Sequence, residues 1–80
     1  MPARNILQDW LLEALMAHGG GATIIQVCKH IWENHENELH ASGSLFYTWQ
    51  YDVRWAAQKL RNSGKMKPVH GSKSSMWELV

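Results

Sequence analysis

Thr48, Tyr51, Arg54 and Gln58 recur at steps of three, three and four. A helix through them presents all four on one side. Gln50 and Tyr47 lie near the N-terminal end of that side. Arginine pairs bidentately with guanine and glutamine with adenine in the major groove of DNA, so Gln50, Arg54 and Gln58 are candidates for direct base readout. Tyr47, Tyr51 and Trp55 are candidates for apolar contact with bases. Thr48, Lys59, Arg61, Lys65, His70, Ser72 and Lys73 are candidates for the DNA backbone, where charge and hydrogen-bond donors position a protein without reading sequence. A solvated helix surface also displays Arg, Gln and Lys, so the face alone does not decide the matter.

Other chemistry is weakly supported. Cys28, His30, His35 and His40 resemble a metal set only in composition. Structural zinc requires closed tetrahedral ligation with paired ligands, and on one helix Cys28 faces the core while His30 points elsewhere. The five histidines are expected on the surface. A Cys-His nucleophile pair lacks an orienting third group. Gly19-Gly20-Gly21 is followed by no Lys-Ser/Thr and so is not a phosphate loop. No glutamate is followed by lysine in the E-x-K spacing that restriction-type nucleases use. The expectation is a binding module without catalytic residues, cofactor or metal.

The elements that position the candidate face follow from period and punctuation. Asn5 and Gln8 suit an N-cap, and Leu7, Trp10, Leu11, Ala14 and Leu15 form an apolar stripe, predicting a helix over 6–17. The glycine run ends it. Thr23, with Gln26 three residues on, opens a second helix over 23–35 with the stripe Ile24, Val27, Cys28, Ile31 and Trp32. Residues 34–44 are polar and short of periodic signal and read as loop, with room for one irregular turn. Trp49, Val53, Ala56 and Leu60 are the inner face of a third helix over 45–63, stopped by Gly64. Residues 66–69 and 76–80 read as short strands, with Pro68 limiting the first to one-sided pairing or starting a bulge. A further short strand is open at Gly21–Thr23. The fold class expected is mainly α with a small β-hairpin.

Eighty residues with 45% hydrophobic and 19% charged content suit one globular domain. One cysteine excludes an internal disulfide framework and fits a reducing compartment, so a cytoplasmic setting is expected. No apolar run is long enough to span a bilayer, and no signal-peptide pattern opens the chain. The net charge of +1 is unevenly spread. Residues 1–50 carry two basic against five acidic side chains, and residues 51–80 carry six basic against two acidic. A basic back half suggests a face for a polyanion.

Three helices followed by a hairpin is the layout of a winged helix-turn-helix, whose third helix enters the major groove while the hairpin wing, here 65–80, touches the flanking backbone. The pattern V-R-W-A-x-Q-x-L-R-x-x-G-x-M over 53–66 resembles the winged-helix modules of Mrr-type and other modification-dependent restriction endonucleases. Val53, Trp55, Ala56, Leu60, Gly64 and Met66 carry the likeness, as does the closing Trp77-Glu78-Leu79. Two features depart from it. The strand from Lys65 carries Lys67 and Pro68, and the segment before Val53 is unusually aromatic.

The resemblance implies double-stranded DNA, methylated or not, as partner, with a fused or associated nuclease. It also implies reading of N6-methyladenine first and modified cytosine second. The aromatics suit this: a base methyl adds apolar surface to the major groove, and burying it contributes about 0.8 kcal/mol. Trp49 is expected in the core, Tyr51 and Tyr47 exposed, and Trp55 between the two. Two alternatives stand beside this reading. One is a protein-interaction winged helix using exposed aromatics as anchors. The other is a small transcriptional regulator, although no helix is left over for dimerisation.

Overall fold

The computed structural model describes residues 6–67 and 76–80. The order is α1 (Ile6–Ala17), β1 (Gly21–Thr23), α2 (Ile24–His40), α3 (Leu45–Asn62) and β2 (Met76–Glu78). The protein is mainly helical, with a small antiparallel sheet that pairs Gly21 with Glu78, Ala22 with Trp77 and Thr23 with Met76.

The stripes predicted for α1 and α3 are core, whereas of the α2 stripe only Val27 and Ile31 are buried and Ile24 and Cys28 are partly so. Leu7, Trp10, Leu11, Ala14 and Leu15 of α1 are all buried, and so are Trp49, Val53, Ala56 and Leu60 of α3. Both helices end on glycine in the left-handed region, which L side chains adopt only with strain. Gly19 has φ 75° and Gly64 has φ 81°. In α1 the Gly20 amide donates to the Leu15 carbonyl at 2.7 Å and the Gly19 amide to Met16 at 3.2 Å. In α3 the Lys65 amide donates to Leu60 at 2.9 Å and the Gly64 amide to Arg61 at 3.1 Å. Each pair of bonds satisfies carbonyls that a helix end leaves open.

The start of α2 is the predicted capping box. The Thr23 hydroxyl accepts from the Gln26 amide at 3.2 Å, and the Gln26 side chain accepts from the Thr23 amide at 2.9 Å. The end of α2 departs from expectation. The helix continues past His35 to His40, so most of the loop expected over 34–44 is helical. His35 interrupts it with φ −131°, ψ 20°, a kink rather than a stop. The reason is tertiary. Leu39, eight residues beyond Ile31, is fully buried and ties the polar segment to the core. A Glu36–His40 pair lies on its outer side.

Two further expectations for α2 change. Trp32 is no core residue; it is 37% exposed, its indole stacked on Trp49 with centroids 6.3 Å apart. His30 and His35 are not surface residues either, since their side chains are only 16% and 13% exposed.

The strand region also differs from a simple hairpin. Met76–Glu78 pairs with β1, and the open strand at Gly21–Thr23 is real. On its other side the C-terminal segment meets residues 65–67 through a Met66–Leu79 bridge and the bonds Lys67 N–H to Glu78 at 2.9 Å and Val80 N–H to Lys65 at 3.3 Å. Of the strand expected at 66–69, the described residues Met66 and Lys67 show a bridge at Met66, and Pro68 and Val69 lie outside the described residues. Asn5, the expected first cap, is outside them too. Among the described residues no helix is long and apolar enough to cross a membrane.

Candidate nucleic-acid interface

The third helix turns two sides in different directions. Leu45, Trp49, Asp52, Val53, Ala56, Ala57 and Leu60 are buried. The opposite side carries Tyr47 (85% exposed), Tyr51 (74%) and Trp55 (49%), so these three aromatics do face solvent. Gln50, Arg54 and Gln58 are exposed beside them.

Four of the predicted readout residues come together. Tyr51, Arg54, Trp55 and Gln58 line one shallow depression of about 270 Å³. They are spaced i, i+3, i+4 and i+7, so the helix itself supplies the arrangement. The Gln58 amide donates to Asn62 at 3.0 Å, which orients it along the helix. An arginine fork, a carboxamide and two aromatic faces are thereby held within one small area.

Gln50 belongs to a second depression, about 320 Å³, at the seam of α2 and α3. Cys28, Lys29, Trp32 and Trp49 complete it. Burial pushes the Cys28 thiol above its usual pKa, and the nearby Arg54 charge offsets part of this. Tyr47 stands apart, edge-on to Phe46 at 5.2 Å. Phe46 in turn stacks on His40 at 4.6 Å, and His40 lies 5.7 Å from Trp32.

The backbone candidates are placed less uniformly. Lys59 and Lys65 are exposed. Thr48 is exposed too, but its hydroxyl donates to the buried Asp52 carboxylate at 2.7 Å. Arg61 is half-buried, its guanidinium 5.8 Å from the Trp77 ring centroid and its Nε without a hydrogen-bond partner. Both side chains hold the fold as well as facing outward. Lys67 pairs with Glu78 at 3.7 Å. His70, Ser72 and Lys73 lie outside the described residues.

Sequence reasoning missed Lys29 and Trp32 as neighbours of the α3 face. Trp32 at the margin of an apolar stripe was the available signal; the seam that joins it to Gln50 is formed between helices. Among the described residues no group of three or more His, Cys, Asp or Glu is arranged to hold a metal ion. Comparison of the chain with family models, curated proteins and solved structures gives no match.

Proposed function

We propose that the chain is a winged helix-turn-helix recognition module for double-stranded DNA. In this reading α3 enters the major groove, and the segment from Lys65 to Ser75 is the wing that grips the flanking backbone. The observation that carries the reading is the depression shared by Tyr51, Arg54, Trp55 and Gln58 on the exposed side of α3. Arg54 can donate two hydrogen bonds to guanine, and the Gln58 carboxamide can donate to adenine N7 and accept from its amino group. Tyr51 and Trp55 offer apolar surface for a base methyl. The sharper form of the proposal is a reader of N6-methyladenine, with modified cytosine next, serving a restriction system in the cytoplasm. The chain itself would bind and not cut, with any nuclease fused or associated.

Fluorescence anisotropy with short duplexes tests this. One sequence pool is prepared unmodified, with N6-methyladenine and with 5-methylcytosine, each at low and near-physiological salt. A several-fold gain for one modification that persists at higher salt is the expected result. Equal, steeply salt-dependent binding would leave an ordinary DNA-binding domain. Failure to bind any duplex would sink the reading.

A second reading has its own observation. Trp32, His40, Phe46 and Tyr47, backed by the buried Trp49, form a continuous aromatic strip across the α2–α3 seam. Partly exposed aromatics of this kind anchor protein partners. Such an interface would respond far less to salt than phosphate contacts do.

A further inference from the structure

His35 is held on both ring nitrogens by carboxylates. Nδ1 lies 2.9 Å from Glu38 Oε1 and Nε2 lies 2.9 Å from Glu13 Oε2. The ring also stacks on Trp10, with centroids 4.2 Å apart and planes 12° from parallel. Glu13 and Trp10 belong to α1, whereas His35 sits at the kink of α2. The groups facing it are therefore Glu13 from α1, Glu38 from its own helix and, across the same Glu13 oxygen, His30 at 2.8 Å.

Ionised carboxylates only accept hydrogen bonds, so both ring nitrogens must donate. A neutral imidazole has a single N–H and would turn a lone pair toward one of the two oxygens. The arrangement is made for the imidazolium. His30 needs only one proton, on Nε2, to reach Glu13.

We propose that His35 is a proton-operated latch: its imidazolium ties the kink of α2 to α1, and loss of one proton releases residues 36–40 toward local opening. The inference does not depend on what α3 binds. The released segment carries His40, which stacks on Phe46 at the start of α3, so the latch adjoins the α2–α3 turn. The kink gives it a hinge. At this point the Asn34 side-chain amide donates to the His30 carbonyl at 2.8 Å, beside the break in the helix.

The direction of the pH response follows. Burial acts to lower the His35 pKa, but the hydrogen bonds and charges of Glu38 and Glu13 outweigh it, leaving the group above its usual 6.5. Glu13 is held below its usual 4.5, chiefly by the His35 hydrogen bond, against burial and with help from His30. A raised histidine stabilises fully below its unfolded value and loses that contribution as pH rises through its folded value. A lowered carboxylate loses its contribution as pH falls through its own folded value. The latch is closed from below pH 4.5 to above pH 6.5 and opens on the alkaline side.

The test is an NMR titration of the imidazole resonances, with amide hydrogen exchange followed along α2 of the same full chain. His35 is expected to titrate above 6.5. The protection of amides 36–41 should then fall through that pH relative to amides 27–33, which serve as the internal reference for base-catalysed exchange. Each unit of elevation corresponds to a tenfold change in the opening equilibrium. Glu38→Gln removes one carboxylate at an exposed position, where misfolding is not at issue, and should lower the His35 titration point. In a His40→Gln background, which removes the other imidazole of this segment, His35→Gln should make the relative protection independent of pH between about 5 and 8, the span of histidine titration. A titration at or below 6.5, or protection of 36–41 that tracks 27–33 at every pH, would overturn the latch.

Discussion

The guanidinium of Arg61 lies over the indole of Trp77, joining the last turn of α3 to the middle of β2. This stacking gives a basic residue from the α3 end a structural duty. A cation over an indole contributes about 0.5–1 kcal/mol at an exposed site and ~2 kcal/mol when desolvated. Arg61→Gln is expected to lower the melting temperature while leaving the salt dependence of DNA binding nearly unchanged. Lys59→Gln should do the reverse, reducing the magnitude of the log–log salt slope by about 0.9 for each phosphate that the lysine neutralises. Thermal melts and salt titrations of the two variants separate these roles, and a large slope change in Arg61→Gln would place that side chain on a phosphate instead.

Arg54 and Trp55 should fail differently. Arg54→Ala removes the bidentate group and is expected to weaken specific binding by about 1–3 kcal/mol while relaxing preference at one base pair. Trp55→Ala should leave unmodified DNA bound with little change and erase most of the preference for a methylated base. Competition binding with modified and unmodified duplexes reads both effects. Parallel loss in the two variants would mean that the residues do not divide the task.

Thr48 and Asp52 form a part-buried pair one turn apart on α3. The Thr48 hydroxyl also approaches the Ser44 carbonyl, at 3.4 Å. Thr48→Val keeps the shape but removes one donor to a buried carboxylate, a change that costs about 0.5–1.5 kcal/mol. Chemical denaturation should register this loss. Unchanged stability would show that Asp52 is satisfied without the hydroxyl, which would leave Thr48 available to a phosphate.

Gly64 is the stop on which the third helix and the following segment depend. At φ 81° nothing crowds a Cβ, so the penalty for substitution is conformational alone. Gly64→Ala is expected to cost about 1–2 kcal/mol through the left-handed backbone. Gly64→Asn should cost less, because asparagine tolerates that region better. Equal melting of all three proteins would argue that the turn relaxes on substitution.

Much of the architecture was legible because its causes are local. The stripes of α1 and α3 appear as spacings of three and four, which a helix converts directly into a buried side. Thr23 with Gln26, and glycine after each of these two helices, are caps whose partners lie within a few residues. The exposure of Tyr47 and Tyr51 followed from the same wheel that buried Trp49 and Val53. So did the convergence of Tyr51, Arg54 and Gln58, since residues at such steps share one side wherever the helix sits. Trp55 stood at the margin of that wheel, and packing left it half exposed.

What only the tertiary structure decided involves partners far apart in the chain. Residues 36–40 are too polar to announce a helix, yet Leu39 reaches the core and His35 meets Glu13 from twenty-two positions away. The choice of β1 as the partner of Met76–Glu78, the Arg61–Trp77 pairing and the stacking of Trp32 on Trp49 have the same origin. Spacing along a sequence encodes the side of an element on which a residue lies. Which other element covers that side is set by packing among all of them, and there the local pattern is silent.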